Sequence, residues 1–241
     1  SNIPLFHYSN CERSELSSEL GERTTDEDGG KMIVEQVQVG NFAVFAYIVG
    51  CQETGEGIII DPAAEVGRLV DVAQTKGIAR IKYIVNTHCH ADHTGGNREL
   101  KERTNAQIVI HKDDAERLAN PSAFILQIFQ CEASPPADIT VGDGDRIEFG
   151  HRFLTVIHTP GHTPGGMALY ADGVLFTGDT LFVEGIGRTD LPGGFLPQLL
   201  HSIKTRLFTL PDETVVLPGH NYGSSPQSTI GQEKRLNPFV R

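Results

Sequence analysis

Cysteine is sparse and poorly placed for cross-linking. The four in this 241-residue chain, Cys11, Cys51, Cys89 and Cys131, are spread almost evenly and form no Cys-x-x-Cys pair. That spacing excludes a disulfide framework and a thiolate zinc site. The chain also has no long basic run, and its formal net charge is -11, so a nucleic-acid backbone would meet net repulsion. No apolar stretch approaches the roughly 18 uninterrupted residues of a membrane span, and the first residues are polar and acidic where a secretory signal would be basic and then apolar. The expectation is a soluble, cytoplasmic protein with neither nucleic acid nor membrane as partner. Repeats of solenoid period and low-complexity tracts are missing as well.

What remains is a polar stretch, 1–30, ending in Asp26-Glu27-Asp28-Gly29-Gly30, followed by one unit from Lys31 to Arg241. The first stretch reads as a peripheral arm that packs on the domain or on a partner subunit, which leaves a homodimer open. Within the unit, strands and helices alternate. Val37 and Val39, then Phe45, Tyr47 and Val49, keep a two-residue period, and Gly57-Ile58-Ile59-Ile60 continues it, so an antiparallel, half-buried sheet is expected. Asp61-Pro62 offers an N-cap and a proline for the first helical turn. Val66, Leu69, Val70 and Ala73 form one apolar stripe that Gly77 stops. Leu196, Leu199, Leu200, Ile203 and Leu207 form a second, ending before Pro211. The segment Asn120 to Asp138, with Phe124, Ile125, Leu126, Ile128 and Phe129, reads as a core-facing helix, with an apolar lid or dimer surface as the alternative.

Thr87-His88-Cys89-His90-Ala91-Asp92-His93 places three imidazoles and a carboxylate in six residues after the apolar run Ile81 to Val85. Such crowding makes chemical sense around a metal, since imidazole and carboxylate suit Zn, Fe and Mn. Alternation along an extended segment points Cys89 away from its neighbours. Three further candidates stand just past predicted strands: His162 in Thr159-Pro160-Gly161-His162-Thr163-Pro164-Gly165, Asp179 in Thr177-Gly178-Asp179, and His220 in Pro218-Gly219-His220. Four strand-to-loop junctions thus carry ligand-type side chains together with turn-forming Gly or Pro. One shared site at an edge of stacked sheets accounts for all of them.

In the order and wording of these motifs the chain resembles the metallo-β-lactamase superfamily over about Met32 to Arg241. The resemblance implies an α/β fold, a four-layer αββα sandwich of two mixed sheets with helices outside. It implies that His88, His90 and His162 hold one metal, that Asp92, His93 and His220 hold a second, and that Asp179 bridges them. Asp61, besides the capping role above, looks like the family carboxylate that hydrogen-bonds a ligand imidazole. The implied cofactor is a pair of divalent ions, Zn first, with Fe or Mn as alternatives.

Within the superfamily the chain is similar to glyoxalase-II-like thioester hydrolases, including short forms without the helical substrate domain; about twenty residues follow His220, which puts glutathione specificity in question. That likeness implies attack of a metal-bound hydroxide on a thioester or related acyl ester, with Asp92 also orienting the nucleophile and carrying its proton. Tyr222 resembles the family tyrosine that contacts substrate, a buried structural tyrosine being the alternative. Gly187-Arg188-Thr189-Asp190 matches a subfamily turn, where Arg188 is expected to pair with a nearby acid, and Glu233-Lys234-Arg235 with Asn237-Pro238 matches a carboxyl-terminal segment. Persulfide dioxygenases share much of this pattern and would use a single Fe on His88, His162 and Asp179. Lactone hydrolysis is a further alternative, and a metal-binding protein without turnover is the least favoured. The expected partner is therefore a small thioester or thiol-containing molecule.

Overall fold

The computed structural model describes residues 31–241; the proposed arm, with Cys11, lies outside them. In chain order the elements are β1 (Met32–Val39), β2 (Val44–Cys51), β3 (Glu56–Ile60), α1 (Val66–Thr75), β4 (Arg80–Asn86), α2 (Ala91–Thr94), α3 (Asn97–Thr104), β5 (Gln107–His111), α4 (Ala115–Ala119), α5 (Ala123–Phe129), β6 (Ile139–Val141), β7 (Arg146–Phe149), β8 (Arg152–His158), β9 (Met167–Ala171) and β10 (Val174–Gly178). A short pair, β11 (Leu181–Phe182) and β12 (Gly185–Ile186), precedes α6 (Leu196–Ser202), which runs on through a wider turn at Ile203–Leu207. The chain closes with β13 (Val215–Pro218), β14 (Ser228–Thr229) and α7 (Ile230–Leu236).

Two six-stranded mixed sheets form, in the orders β1-β2-β3-β4-β5-β6 and β14-β13-β10-β9-β8-β7. In the first, β1 to β3 are antiparallel and β3 to β6 parallel. In the second, β7 to β10 are antiparallel and β10 pairs β13 in parallel. Alternation along β2 builds two cores at once. Phe45, Tyr47 and Val49 face Phe149, Leu154, Leu169 and Phe176 of the other sheet, while Val44, Ala46 and Ile48 face the layer of Val66, Leu69, Ala73, Leu100 and Leu118 from α1, α3 and α4. A third core packs Leu199, Ile203, Leu207 and Ile230 on the outer side of the second sheet. The expected four-layer αββα sandwich is therefore what forms.

Three local expectations need correction. β2 is buried along its whole length, not half-buried, because it is central and covered on both faces. Asp61 is not an N-cap: it adopts φ 48°, α1 begins only at Val66 after Glu65, and the Asp61 carboxylate is turned into the first sheet, onto Thr87. The α5 segment is not core-facing. None of its residues is buried, and Phe124 and Ile128 are exposed. It sits instead against α2, with the Cys131 thiol just beyond it directed at the Ala91 carbonyl. Among the described residues no helix is long and apolar enough to cross a membrane.

Strand direction decides where ligand-bearing loops emerge. β3 and β4 run parallel, and β8, β10 and β13 share one direction in the second sheet, so the loops after all five open at strand carboxyl ends. Main-chain bonds then join the two sheets there: Met167 N to Thr87 O at 3.0 Å and Phe45 N to Gly219 O at 2.9 Å. Phe149, fully buried between the sheets, is a measure of what the layering contributes. Phe149→Ala is expected to lower unfolding free energy by about 3–5 kcal/mol, read from the denaturant midpoint.

Candidate metal centre

Asp61, His88, His90, Asp92, His93, His162, Asp179 and His220 meet at that loop edge, and all but His90 and Asp92 are buried. Two loops from the first sheet and three from the second contribute side chains. The glycines in the motifs are steric requirements of this convergence. Gly178 has φ +47° and a Cβ there would lie 2.4 Å from Thr87 Oγ1; a Cβ on Gly219 would lie 2.3 Å from Asp179 Oδ1.

Four of the five imidazoles have their Nδ1 occupied by a fixed partner. His162 Nδ1 donates to the Arg188 carbonyl at 2.7 Å and His220 Nδ1 to the Phe42 carbonyl at 2.8 Å. His93 Nδ1 donates to Asp61 Oδ2 at 3.0 Å. Thr87 Oγ1 donates to the same carboxylate oxygen at 2.6 Å and so is left to accept from His88 Nδ1 at 3.2 Å. In the neutral rings the Nε2 therefore carries a lone pair aimed inward. These nitrogens crowd together: His88 Nε2 and His162 Nε2 lie 3.1 Å and 2.9 Å from His90 Nδ1, which can donate to only one of them, and His93 Nε2 lies 3.1 Å from His220 Nε2. With metal–nitrogen bonds of about 2.0–2.1 Å, two imidazoles on a tetrahedral ion stand roughly 3.3 Å apart, close to the spacing of these nitrogens.

Two ligand sets follow from the distances. His88, His90 and His162 could hold one ion, and Asp92, His93 and His220 a second. Asp179 reaches both sets: Oδ2 is 3.5 Å from His162 Nε2 and 3.4 Å from His220 Nε2, and Oδ1 is 3.3 Å from His93 Nε2. Its buried Oδ1 has no hydrogen-bond partner, an orphaned anionic atom of the kind a cation satisfies. Asp92 Oδ2 stands 3.6 Å from His220 Nε2 and its side chain keeps some solvent access. The electrostatics agree. Burial and neighbouring imidazoles, His162 first, push His90 down to about 3, keeping it a neutral ligand. Burial opposes charging of His93, but Asp179, Asp61 and Asp92 outweigh it and hold that ring well above its ordinary value.

Other sequence expectations are now located. The Cys89 side chain points into the helical core, away from the ligands, and burial with Asp114 beside it raises its thiol. Tyr222 is not the buried structural tyrosine of the alternative reading. It is exposed and stacks on His220 at 4.4 Å and 9°, with its hydroxyl donating to Phe42 O at 3.2 Å. Arg188 forms the expected ion pair, a two-pronged one with Asp190 at 2.7 Å for each bond. Its carbonyl, which sequence reasoning did not single out, is what orients His162. The carboxyl-terminal motif braces that loop: Glu233 accepts from Glu184 N at 3.0 Å, and Asn237 donates to Gly185 O at 2.9 Å.

A family model described as the metallo-beta-lactamase superfamily matches residues 39–220. The chain is 34% identical over 214 residues to the mitochondrial persulfide dioxygenase ETHE1 of Homo sapiens, covering 87% of this chain and 76% of that protein. It is 35% identical over 189 residues to the probable metallo-hydrolase YqgX of Bacillus subtilis (strain 168), covering 76% and 86%. Among solved structures, TTHA1623 in a di-iron-bound form superposes with a TM-score of 0.75 at 34% identity, covering 86% of this chain and all of that one, 100%.

Removing the acceptor that orients His93 is a direct check on this centre. Asp61→Asn should weaken metal binding by about ten- to hundredfold in competition with a chromogenic chelator. Chelator treatment of the wild type should lower its melting temperature, because bound ions stabilise only the folded chain.

Proposed function

This chain belongs to the metallo-β-lactamase superfamily, and on that premise we propose that it is a dinuclear metallohydrolase cleaving a thioester or related acyl ester of a small molecule. The observation that carries the reading is the completeness of both ligand sets around one carboxylate, Asp179, that lies within 3.5 Å of nitrogens from each. A likeness to a named probable metallo-hydrolase and to a chain solved with two irons supports it.

Two bound divalent ions would supply an acidified water and a polarised carbonyl at neutral pH. The residues of the chain do the rest. Asp179, buried and held well below the usual carboxylate range by His93 and His220 against the opposing effect of burial, stays anionic and keeps the two imidazole sets at a fixed separation. Asp92 is the partly exposed carboxylate at the mouth. It is placed to accept the proton of the attacking water and return it to the departing thiolate or alkoxide. Tyr222 forms one wall of the entrance. Partial burial, followed by Asp179 and Asp92, raises its phenol, which keeps its proton and offers an uncharged face to an acyl or thiol group. No serine or cysteine nucleophile is called for, and Cys89 is turned away.

A second reading has its own support. Likeness to a persulfide dioxygenase is as strong in identity, and His88, His162 and Asp179 would form the three-ligand face of a single iron. The two readings differ in stoichiometry and in oxygen use. For the hydrolase, metal analysis should find close to two ions per chain and S-lactoylglutathione should release thiol without O2 consumption. Asp179→Ala should abolish that release, a loss of at least about a thousandfold in kcat/KM. One iron per chain with glutathione-persulfide-dependent O2 uptake would instead establish the second reading.

A further inference from the structure

The first ligand set is assembled from two segments, since His88 and His90 lie 72 residues or more before His162, and something must set the gap between them. Asp114 occupies that position. It lies in the turn between β5 and α4, on a part of the first sheet that supplies no ligand, and its side chain is fully buried. Oδ2 accepts from Cys89 N at 3.0 Å, the residue between His88 and His90, and from Thr163 Oγ1 at 2.7 Å, the residue after His162. Oδ1 accepts from Gly165 N at 2.8 Å in the same turn as His162. The fit is close: a Cβ on Gly165 would stand 2.7 Å from both Asp114 Cβ and Cγ.

The two oxygens of a carboxylate side chain suit this demand. Three donors converge on it from two loops, and a carboxylate is all acceptor with about four lone-pair sites. An amide in its place would keep one acceptor oxygen and turn an NH2 group toward the Cys89 N–H or the Gly165 N–H, leaving a buried donor unpaired.

Resting on the metal-centre reading, we infer that Asp114 is a positioning residue for the His88, His90 and His162 set: it clamps the two loops at the separation one ion requires, and it acts on that set without acting on Asp92, His93 and His220. It touches neither ion nor substrate. Its effect passes through the backbone of Cys89 and through Thr163 and Gly165.

The test is a cobalt(II) titration followed by visible d–d absorption, with chelator competition for affinity. It uses a His220→Ala background that leaves only the first set whole and a His162→Ala background that leaves only the second. Asp114→Asn should weaken cobalt binding about ten- to hundredfold in the first background and leave the second within about twofold. Thr163→Val, which removes one of the three bonds, should shift the same background in the same direction by less, and Thr163→Ser should restore it. Because Thr163→Val keeps two bonds, it decides the matter should Asp114→Asn fail to fold. Unchanged affinity in the first background for both variants would overturn the inference, as would equal losses in the two backgrounds, the mark of a role in folding alone. Failure of the parent chain to take up cobalt at all would be a different result, sinking the metal-centre reading beneath it.

Discussion

Mutual repulsion among inward-facing lone pairs is the constraint on which the rest of this molecule depends. Four rings have their outward nitrogens fixed by Arg188 O, Phe42 O, Asp61 and Thr87. Their inward nitrogens face one another and His90. Hydrogen bonds cannot satisfy the whole set, because neutral imidazole nitrogens that have already donated on the far side can only accept on the near one, and His90 Nδ1 has at most one proton to share between His88 and His162. Positive charge is the remaining solution, and the sandwich is arranged to hold it: buried anions, acceptors behind four of the five rings, and glycines where loops press together.

The two sheets share this work unequally. The first delivers His88, His90, Asp92 and His93 from one loop and short helix, so their relative placement is largely local. The second delivers His162, Asp179 and His220 singly, each at the end of a different strand. Local spacing fixes the first group; the parallel register of β10 with β13 and the cross-sheet bonds at Thr87 and Phe45 fix the second. A centre built this way inherits its precision from strand pairing, and pairing is stiff where loops are not.

Much of this was legible from residue types. The density of imidazoles after Val85 and the repetition of Gly or Pro beside His162, Asp179 and His220 located the site, because ligands and turns both leave a mark in composition. Periodicity located the sandwich. It missed the double burial of β2, since the residues that alternate with Phe45, Tyr47 and Val49 are apolar too, and it misjudged α5, whose apolar residues lie against α2 and, at Phe129, against Phe42 without any of them being buried. Asp61 was ambiguous because a carboxylate before proline is equally a cap and an acceptor; only the positive φ and the turn toward Thr87 separate them. Phe42 and Arg188 were out of reach for a different reason. What they contribute to the rings is a main-chain carbonyl, and every residue has one.

That last feature separates two kinds of evolutionary pressure. Phe42 and Arg188 steady His220 and His162 through atoms that no substitution short of a backbone change removes, while their side chains lie on the outer surface, an aromatic ring in one case and a paired guanidinium in the other. Mutation can therefore redraw the rim through which a molecule enters without loosening the grip on the ions beneath. A lineage can explore new reactants at fixed catalytic machinery.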